Sequence, residues 1–322
     1  MSSANDSLRG GIDLGGTKIQ AAIVDAAGEA HGQARRPTPT SGGPEDVAEA
    51  MAEALREAAL EADVESANLT GVGVGSPGNA DGKTGIVSGA RNLPGWEGSF
   101  PLAATLKEAL GTEVRVGNDV QVATEAEFHL GAGREFKSLI GVFWGTGVGG
   151  GLVLDGKPWL GRGAAGEVGH MVVKRGGAKC PCGRRGCMEA YAGRAAMEAE
   201  ARRQHEEGAK TDLFKLMRKH EKDRLTSGIW ERAIDHGDHL AIQLIDRAVE
   251  ALGTGIASAV NLLDIEAVII GGGLGVRFGE RYMEPLTKEM GKHLFLDERP
   301  PAVRVVSLGD LGGAIGASLL VA

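Results

Sequence analysis

A repeat at a spacing of 130 residues is the feature that most limits what this chain can fold into. The first apolar run reads Gly11-Ile12-Asp13-Leu14, then Gly15-Gly16-Thr17-Lys18, then Ile19 to Asp25. Two β-type runs around a glycine-rich turn predict a hairpin. The pattern returns, without a gap, as Gly141-Val142-Phe143-Trp144, Gly145-Thr146-Gly147 and a run through Val153, Leu154 and Asp155. Gly11 matches Gly141, Ile12 matches Val142, Leu14 matches Trp144, Gly15 matches Gly145, Ile23 matches Val153 and Asp25 matches Asp155. Each hairpin is followed by alternating helical and strand signals. Val47, Met51 and Leu55 recur at helical spacing between Pro44 and Asp63, ahead of strands at Val72 to Val74 and Val114 to Val116. In the second half, Ala248, Leu252, Ile256 and Val260 share one face of a helix over Leu244 to Asp264, which feeds a buried strand at Ala267 to Ile270. Strands alternating with helices imply an α/β architecture. Two such halves imply a duplicated core in two lobes facing a cleft.

The first lobe is expected over residues 1–127, with a C-terminal helix at 308–322 packing on it. The second is expected over 128–307. Within it, the stretch from Met197 to His239 is dense in Lys, Arg, Glu and His. It reads as a helical, solvated insertion (197–239) on the outer surface, with an oligomer contact as the alternative.

Length and charge restrict the partners. A chain of 322 residues suffices for two lobes that each bury a core. The net charge of -8, with no run of basic residues, argues against nucleic acid or an anionic membrane as a main partner. Met1 to Arg9 is short and polar and does not read as a signal peptide, and no apolar run spans a bilayer. A soluble, cytoplasmic protein is expected.

The turns themselves point to phosphate. Backbone N–H groups approach a phosphate closely where no Cβ intervenes. Gly15-Gly16-Thr17 and Gly145-Thr146-Gly147 both supply such turns, each with a threonine hydroxyl. Neither is a Walker A loop, and Gly145-x-Gly147 followed by Gly150 precedes a strand rather than the helix of a dinucleotide fingerprint. Glycines of this kind also make plain hairpins; their occurrence at equivalent places in both halves favours phosphate binding. Asp13, just before the first turn, is placed to reach Mg²⁺ through water. Gly271-Gly272-Gly273 closes a buried strand where a doubly wound sheet binds ligands, which suits a place under an adenosine.

Asn118-Asp119 ends the strand at Val114 to Val116 and precedes a helix. The spacing alone favours a helix N-cap. The other reading is a general base: transfer of a phosphoryl group to an alcohol needs an acceptor for the hydroxyl proton, with the asparagine amide orienting the alcohol.

The three cysteines, Cys180, Cys182 and Cys187, fall within eight residues. That is a poor disulfide framework. With His170 they form H-x9-C-P-C-G-x-x-G-C, enough for a closed, structural Zn²⁺ site bent by Pro181, Gly183 and Gly186. Glu167 and Glu189 flank the cluster, so a rigid metal loop (170–187) would hold them as a polar wall. His170 could use its second ring nitrogen on a ligand hydroxyl.

Together these residues resemble the ROK family (repressors, open reading frames and kinases) over nearly the whole chain. Asp13-Leu-Gly15-Gly16-Thr17-Lys18 is similar to the family's first phosphate loop and Gly145-Thr146-Gly147-Val-Gly149 to its second. The most specific part is Gly166-Glu167-Val-Gly169-His170 with Cys180-x-Cys182-Gly-x-x-Gly-Cys187-x-Glu189. The resemblance implies a two-lobed actin-like ATPase fold (ribonuclease H-like) with an active-site cleft between the lobes. It implies a sugar kinase using ATP, Mg²⁺ and a structural Zn²⁺, working as a homodimer or homotetramer. Asp119 would be the general base, while Asn118, Glu167, His170, Glu189 and Asn92 would hold sugar hydroxyls and Gly78 would border the sugar. Glucose is the expected substrate, phosphorylated at its 6-hydroxyl. N-acetylglucosamine, N-acetylmannosamine, mannose and fructose are alternative acceptors, and polyphosphate is an alternative donor. The family's repressors carry a DNA-binding helix-turn-helix before the first loop; here that loop starts about ten residues in, so a sugar-sensing repressor is the lesser expectation. Val116-Gly117-Asn118-Asp119-Val120 departs from the Glu before Asn and Ala after Asp of many members, which bears on sugar preference.

Overall fold

The two hairpins form with identical boundaries once the 130-residue shift is applied. In the computed structural model, which describes residues 8–90 and 93–322, β1 (Arg9–Leu14) and β2 (Lys18–Val24) are the first pair. Their counterparts, set out below in chain order, span Leu139–Trp144 and Val148–Leu154. The rest of the first half comprises β3 (Ala30–Pro37), α1 (Pro44–Glu61), β4 (Val72–Ser76), the short strands β5 (Asn79–Asp81), β6 (Ile86–Ser88) and β7 (Ser99–Phe100), α2 (Leu102–Leu110), β8 (Val114–Asn118) and α3 (Asp119–Leu130). Then follow β9 (Leu139–Trp144), β10 (Val148–Leu154), β11 (Lys157–Pro158), α4 (Glu189–Ala192), α5 (Arg194–Glu206), α6 (Leu213–Lys219), α7 (Ser227–Asp235) and α8 (His239–Leu263). The chain closes with β12 (Ala267–Gly271), α9 (Gly272–Gly291), β13 (Ala302–Val305) and α10 (Gly312–Ser318).

The duplication extends from hairpins to whole sheets. One five-stranded sheet has the order β3-β2-β1-β4-β8 and the other β11-β10-β9-β12-β13, which is the same order in repeat-equivalent strands. In the first, β1 pairs antiparallel with β2 and parallel with β4, and β4 pairs parallel with β8. In the second, β12 pairs parallel with both β9 and β13. Chain contacts divide the molecule into two units. One ends at Glu135 and takes up Gly151–Ala165 and Ser307–Ala322; the other is Phe136–Gly150 with Gly166–Val306.

Within the first unit, β1 and β2 are covered on both faces, so Gly10 to Ile12 and Ala21 to Val24 are apolar or tiny rather than alternating. One face takes α1, whose Val47, Met51 and Leu55 are fully buried. Each such side chain contributes about 1.5–3 kcal/mol. The other face takes α10 in direct backbone contact. A Cβ on Gly11 would lie 1.8 Å from the carbonyl oxygen of Ala314, and one on Gly73 would lie 1.7 Å from that of Ala317. Only glycine admits the helix at that distance.

In the second unit, α8 buries Ala248, Leu252, Ile256 and Val260 along one face. It begins at His239, earlier than the apolar periodicity suggests, because Asp238 caps it by accepting from the Ala241 N–H at 2.9 Å. The segment 197–239 is helical, but it is not simply solvated. Leu213, Leu225, Ile229 and Trp230 are buried there, so α5, α6 and α7 carry an apolar inner side beneath a charged outer one. No helix among the described residues is long and apolar enough to cross a membrane.

Candidate functional site

The carboxyl ends of the parallel strands in the first unit gather its polar groups. Along β1, β4 and β8 the register sets Asp13 opposite Gly75, Gly75 opposite Gly117 and Ser76 opposite Asn118. Asp13 and Asp119 therefore stand on one sheet edge with β4 between them. Gly75 leaves the intervening space open: a Cβ there would fall 2.8 Å from the Val122 side chain and 3.4 Å from the Asp119 Cα. On the far side, a Cβ on Gly313 of α10 would lie 2.7 Å from the Asp13 carboxyl carbon. Burial pushes the Asp13 carboxyl above its ordinary range, and the Lys18 ammonium pulls it back. A desolvated carboxylate of this kind gains from a cation, which fits a metal–nucleotide site.

The turn after β1 is closed by the Gly15 N–H donating to the Lys18 carbonyl at 2.9 Å. Thr38 braces it, with its hydroxyl donating to the Gly15 carbonyl at 2.6 Å. Gly16 and Thr17 are exposed at the tip. Gly78 lies in the turn that follows β4, at φ +82°, and is also exposed.

At Asn118-Asp119 the cap belongs to Asn118. Its side-chain oxygen accepts from the N–H groups of Val120 and Gln121, each at 3.1 Å. Asp119 is the first residue of α3. The cap uses the Asn118 oxygen and leaves its amide nitrogen as a donor, so capping and ligand orientation are not exclusive. Asn92 lies outside the described residues.

In the second unit, the Gly145 N–H donates to the Gly147 carbonyl at 3.0 Å, and α5 starts directly above the loop: Arg194 and Ala195 N–H groups donate to the carbonyls of Gly145 and Thr146. A Cβ on Gly147 would lie 2.3 Å from a Glu189 carboxylate oxygen, the same oxygen that accepts from the Val148 N–H at 3.0 Å. The other Glu189 oxygen is 3.8 Å from Cys180 Sγ. Glu189 thus ties the second glycine loop to the cysteine cluster. β12 ends at Gly271, and α9 starts at Gly272, held at φ +80°. Gly145, Thr146 and Gly273 line a cavity of about 210 Å³ together with Arg194, Arg224, Thr226, Ser227 and Leu274. The last five escape sequence reading. Arg224, Thr226 and Ser227 sit in the charged segment expected on the outer surface, and no local motif marks them.

His170, Cys180, Cys182 and Cys187 offer one ligand atom each, all within 4.8 Å of one another. The Cys182 and Cys187 sulfurs are 3.7 Å apart. Two thiolates on a tetrahedral ion with metal–sulfur bonds of about 2.3 Å would be roughly 3.8 Å apart, so the spacing fits zinc. His170 turns Nδ1 to the Cys180 sulfur, at 3.8 Å, and Nε2 to the Glu167 carboxylate, also at 3.8 Å. Burial pushes the Cys180 thiol up to about 12, while the Arg184 backbone N–H brings Cys182 down to about 6. Glycine at 186 is obligatory: φ is +84°, and a Cβ would lie 1.8 Å from the Lys174 carbonyl oxygen.

A sheet of this order duplicated in one chain, with a glycine-rich hairpin opening each copy and acids on the carboxyl edge, defines an actin-like ATPase fold of the sugar-kinase type. The chain belongs to the ROK family, whose model matches residues 9–322. A glucokinase from Thermotoga maritima is 35% identical over 281 residues, 87% of this chain and 86% of that protein. An N-acetylmannosamine kinase from Haemophilus influenzae is 33% identical over 314 residues, 95% of this chain and 93% of that protein. The crystal structure of a ROK family glucokinase from Streptomyces griseus, in complex with glucose and AMPPNP, superposes with a TM-score of 0.83 at 32% identity, covering 98% and 99% of the two chains.

Proposed function

We propose that this chain is a cytoplasmic ATP-dependent sugar kinase whose acceptor is the 6-hydroxyl of glucose. The observation that carries the kinase reading is the pair of acids on one sheet edge, Asp13 and Asp119, in a ROK-family chain. The two carboxylates have different surroundings, Asp13 desolvated and Asp119 at the start of α3 with one oxygen accepting from the Val120 N–H at 2.9 Å, which suits two tasks. Asp13, desolvated and beside a phosphate-type turn, would help hold Mg²⁺, which neutralises charge on the donor phosphates when bound. Asp119 takes the proton of the sugar hydroxyl as its oxygen bonds to the γ-phosphorus; the bond from that phosphorus to the bridging oxygen breaks and ADP leaves. The Asn118 amide orients the hydroxyl. Glu167, His170 and Glu189 bind other sugar hydroxyls, and a Zn²⁺ held by His170, Cys180, Cys182 and Cys187 would keep them in place. Asn92 and Gly78 complete the sugar contacts, and the two glycine loops bind the phosphates.

Glucose is favoured by the glucokinase relatives. N-acetylmannosamine is the second reading, favoured by the 33% identity to a kinase of that name. A coupled phosphorylation assay across a sugar panel, run with ATP and with polyphosphate, tests both. The glucose reading requires glucose to show the highest kcat/KM. A preference for an N-acetylated sugar would replace it, and no turnover of any sugar would remove the kinase reading.

A further inference from the structure

We propose that Arg194 and Arg224 form a two-guanidinium subsite in the second unit's cavity, and that it takes the phosphate chain of the phosphoryl donor. This rests on the kinase reading and extends it to residues outside both glycine loops. Arg194, the first residue of α5, donates to the Thr146 hydroxyl at 2.9 Å and to the Leu225 carbonyl at 3.1 Å. Thr146 is the middle residue of the second glycine loop, so this guanidinium is pinned to that loop. Arg224 lines the same cavity from the connection between α6 and α7. Among the described residues it makes no hydrogen bond or ion pair, and its charge repels that of Arg194.

None of the residues lining the cavity is acidic. Of the nearby acids, Glu198 is engaged by the Arg202 guanidinium at 2.7 Å and the Leu225 N–H at 2.8 Å, and Asp223 is exposed. Burial, and after it the Arg224 charge, hold the Arg194 guanidinium below its usual range, although Glu198 and Asp223 draw it partly back. Two like charges facing one half-buried polar space are unfavourable without an anion to share. A neutral sugar or a nucleoside supplies none. Phosphate oxygens do, and a guanidinium fork matches them. Thr226 and Ser227 add hydroxyl donors on the same wall.

The test measures binding of ADP, adenosine and inorganic tripolyphosphate to the full chain by calorimetry, alongside KM for ATP and for sugar. Arg224→Gln is the principal variant, because Arg224 supports no other group and its loss should spare the fold. Arg194→Gln and Arg224→Lys accompany it. Tripolyphosphate and ADP should bind at least about tenfold more weakly to Arg224→Gln, the loss expected for a charged hydrogen bond. Adenosine binding and the sugar KM should not move, and Arg224→Lys should recover part of the loss. Weakened adenosine binding with intact tripolyphosphate binding would show that the guanidinium meets the base, and would overturn the proposal. Equal binding of all three ligands by wild type and variant would overturn it too. Arginine-dependent tripolyphosphate binding without turnover of any sugar would refute the kinase reading alone.

Discussion

Replacing Gly73 by alanine tests whether α10 is seated on the first sheet by backbone contact. The added Cβ would sit 1.7 Å from the Ala317 carbonyl oxygen, 2.5 Å from its carbon and 3.3 Å from the Leu320 Cβ. Relieving the first contact needs a retreat of roughly 1.3 Å or more by α10 or β4. Neither has that room. On its opposite side α10 is pressed to α3, where a Cβ on Gly316 would already lie 2.2 Å from the Val122 carbonyl oxygen. Gly73 does not occupy the left-handed region, so the cost is overpacking and not backbone strain. Overpacking of a rigid site costs about 1–3 kcal/mol or more. For a unit of this size each kcal/mol lowers Tm by about 2–4 °C, so a loss of roughly 2–12 °C is expected by calorimetry. Displacing α10 also moves Gly313 against Asp13, so kcat/KM for ATP should fall together with stability. Gly98→Ala is the control, since nothing lies within 4 Å of a Cβ there; surface changes of that kind stay within about 0.5 kcal/mol. A Gly73→Ala protein melting within 1 °C of wild type, about the size of that surface effect, would refute the packing argument.

Asp119→Asn should retain sugar binding and lose about 10²–10⁴-fold in kcat, the usual worth of a general base; turnover near wild type would remove that role. Asp13→Asn should melt higher than wild type at neutral pH while turning over more slowly with ATP. The sign follows from the raised carboxyl. Between the ordinary value of 3.8 and the higher folded one, the folded chain binds more proton than the unfolded chain, so the Asp13 contribution falls as pH rises through that window and the asparagine variant escapes the loss. A lower Tm for Asp13→Asn would contradict this. Metal analysis of chelator-free protein should find about one Zn²⁺ per chain, the capacity of one Cys₃His site, and Cys187→Ser should lose it; metal-free wild type melting like the holoprotein would separate the cluster from stability.

The sequence by itself determined the duplication, since glycine and apolar patterns in β1–β2 and β9–β10 repeat with no gap. It also determined the cysteine–histidine cluster, because ligands within one short loop converge through local bends at Gly183 and Gly186. Those features are written in short spacings, where chain geometry leaves few choices. Asn118-Asp119 shows the limit: spacing could not tell a cap from a base, and the hydrogen bonds assign the cap to the Asn118 oxygen. Glu189 was legible as a neighbour of the cluster, but its tie to the Val148 N–H over 41 residues was not. The unit joined by Gly151–Ala165, the apolar inner side of 197–239, and the meeting of Arg194 with Arg224 were likewise decided only by tertiary structure. Each depends on contacts between residues distant in sequence, which no local pattern encodes, because burial belongs to the assembled layers and not to the segment.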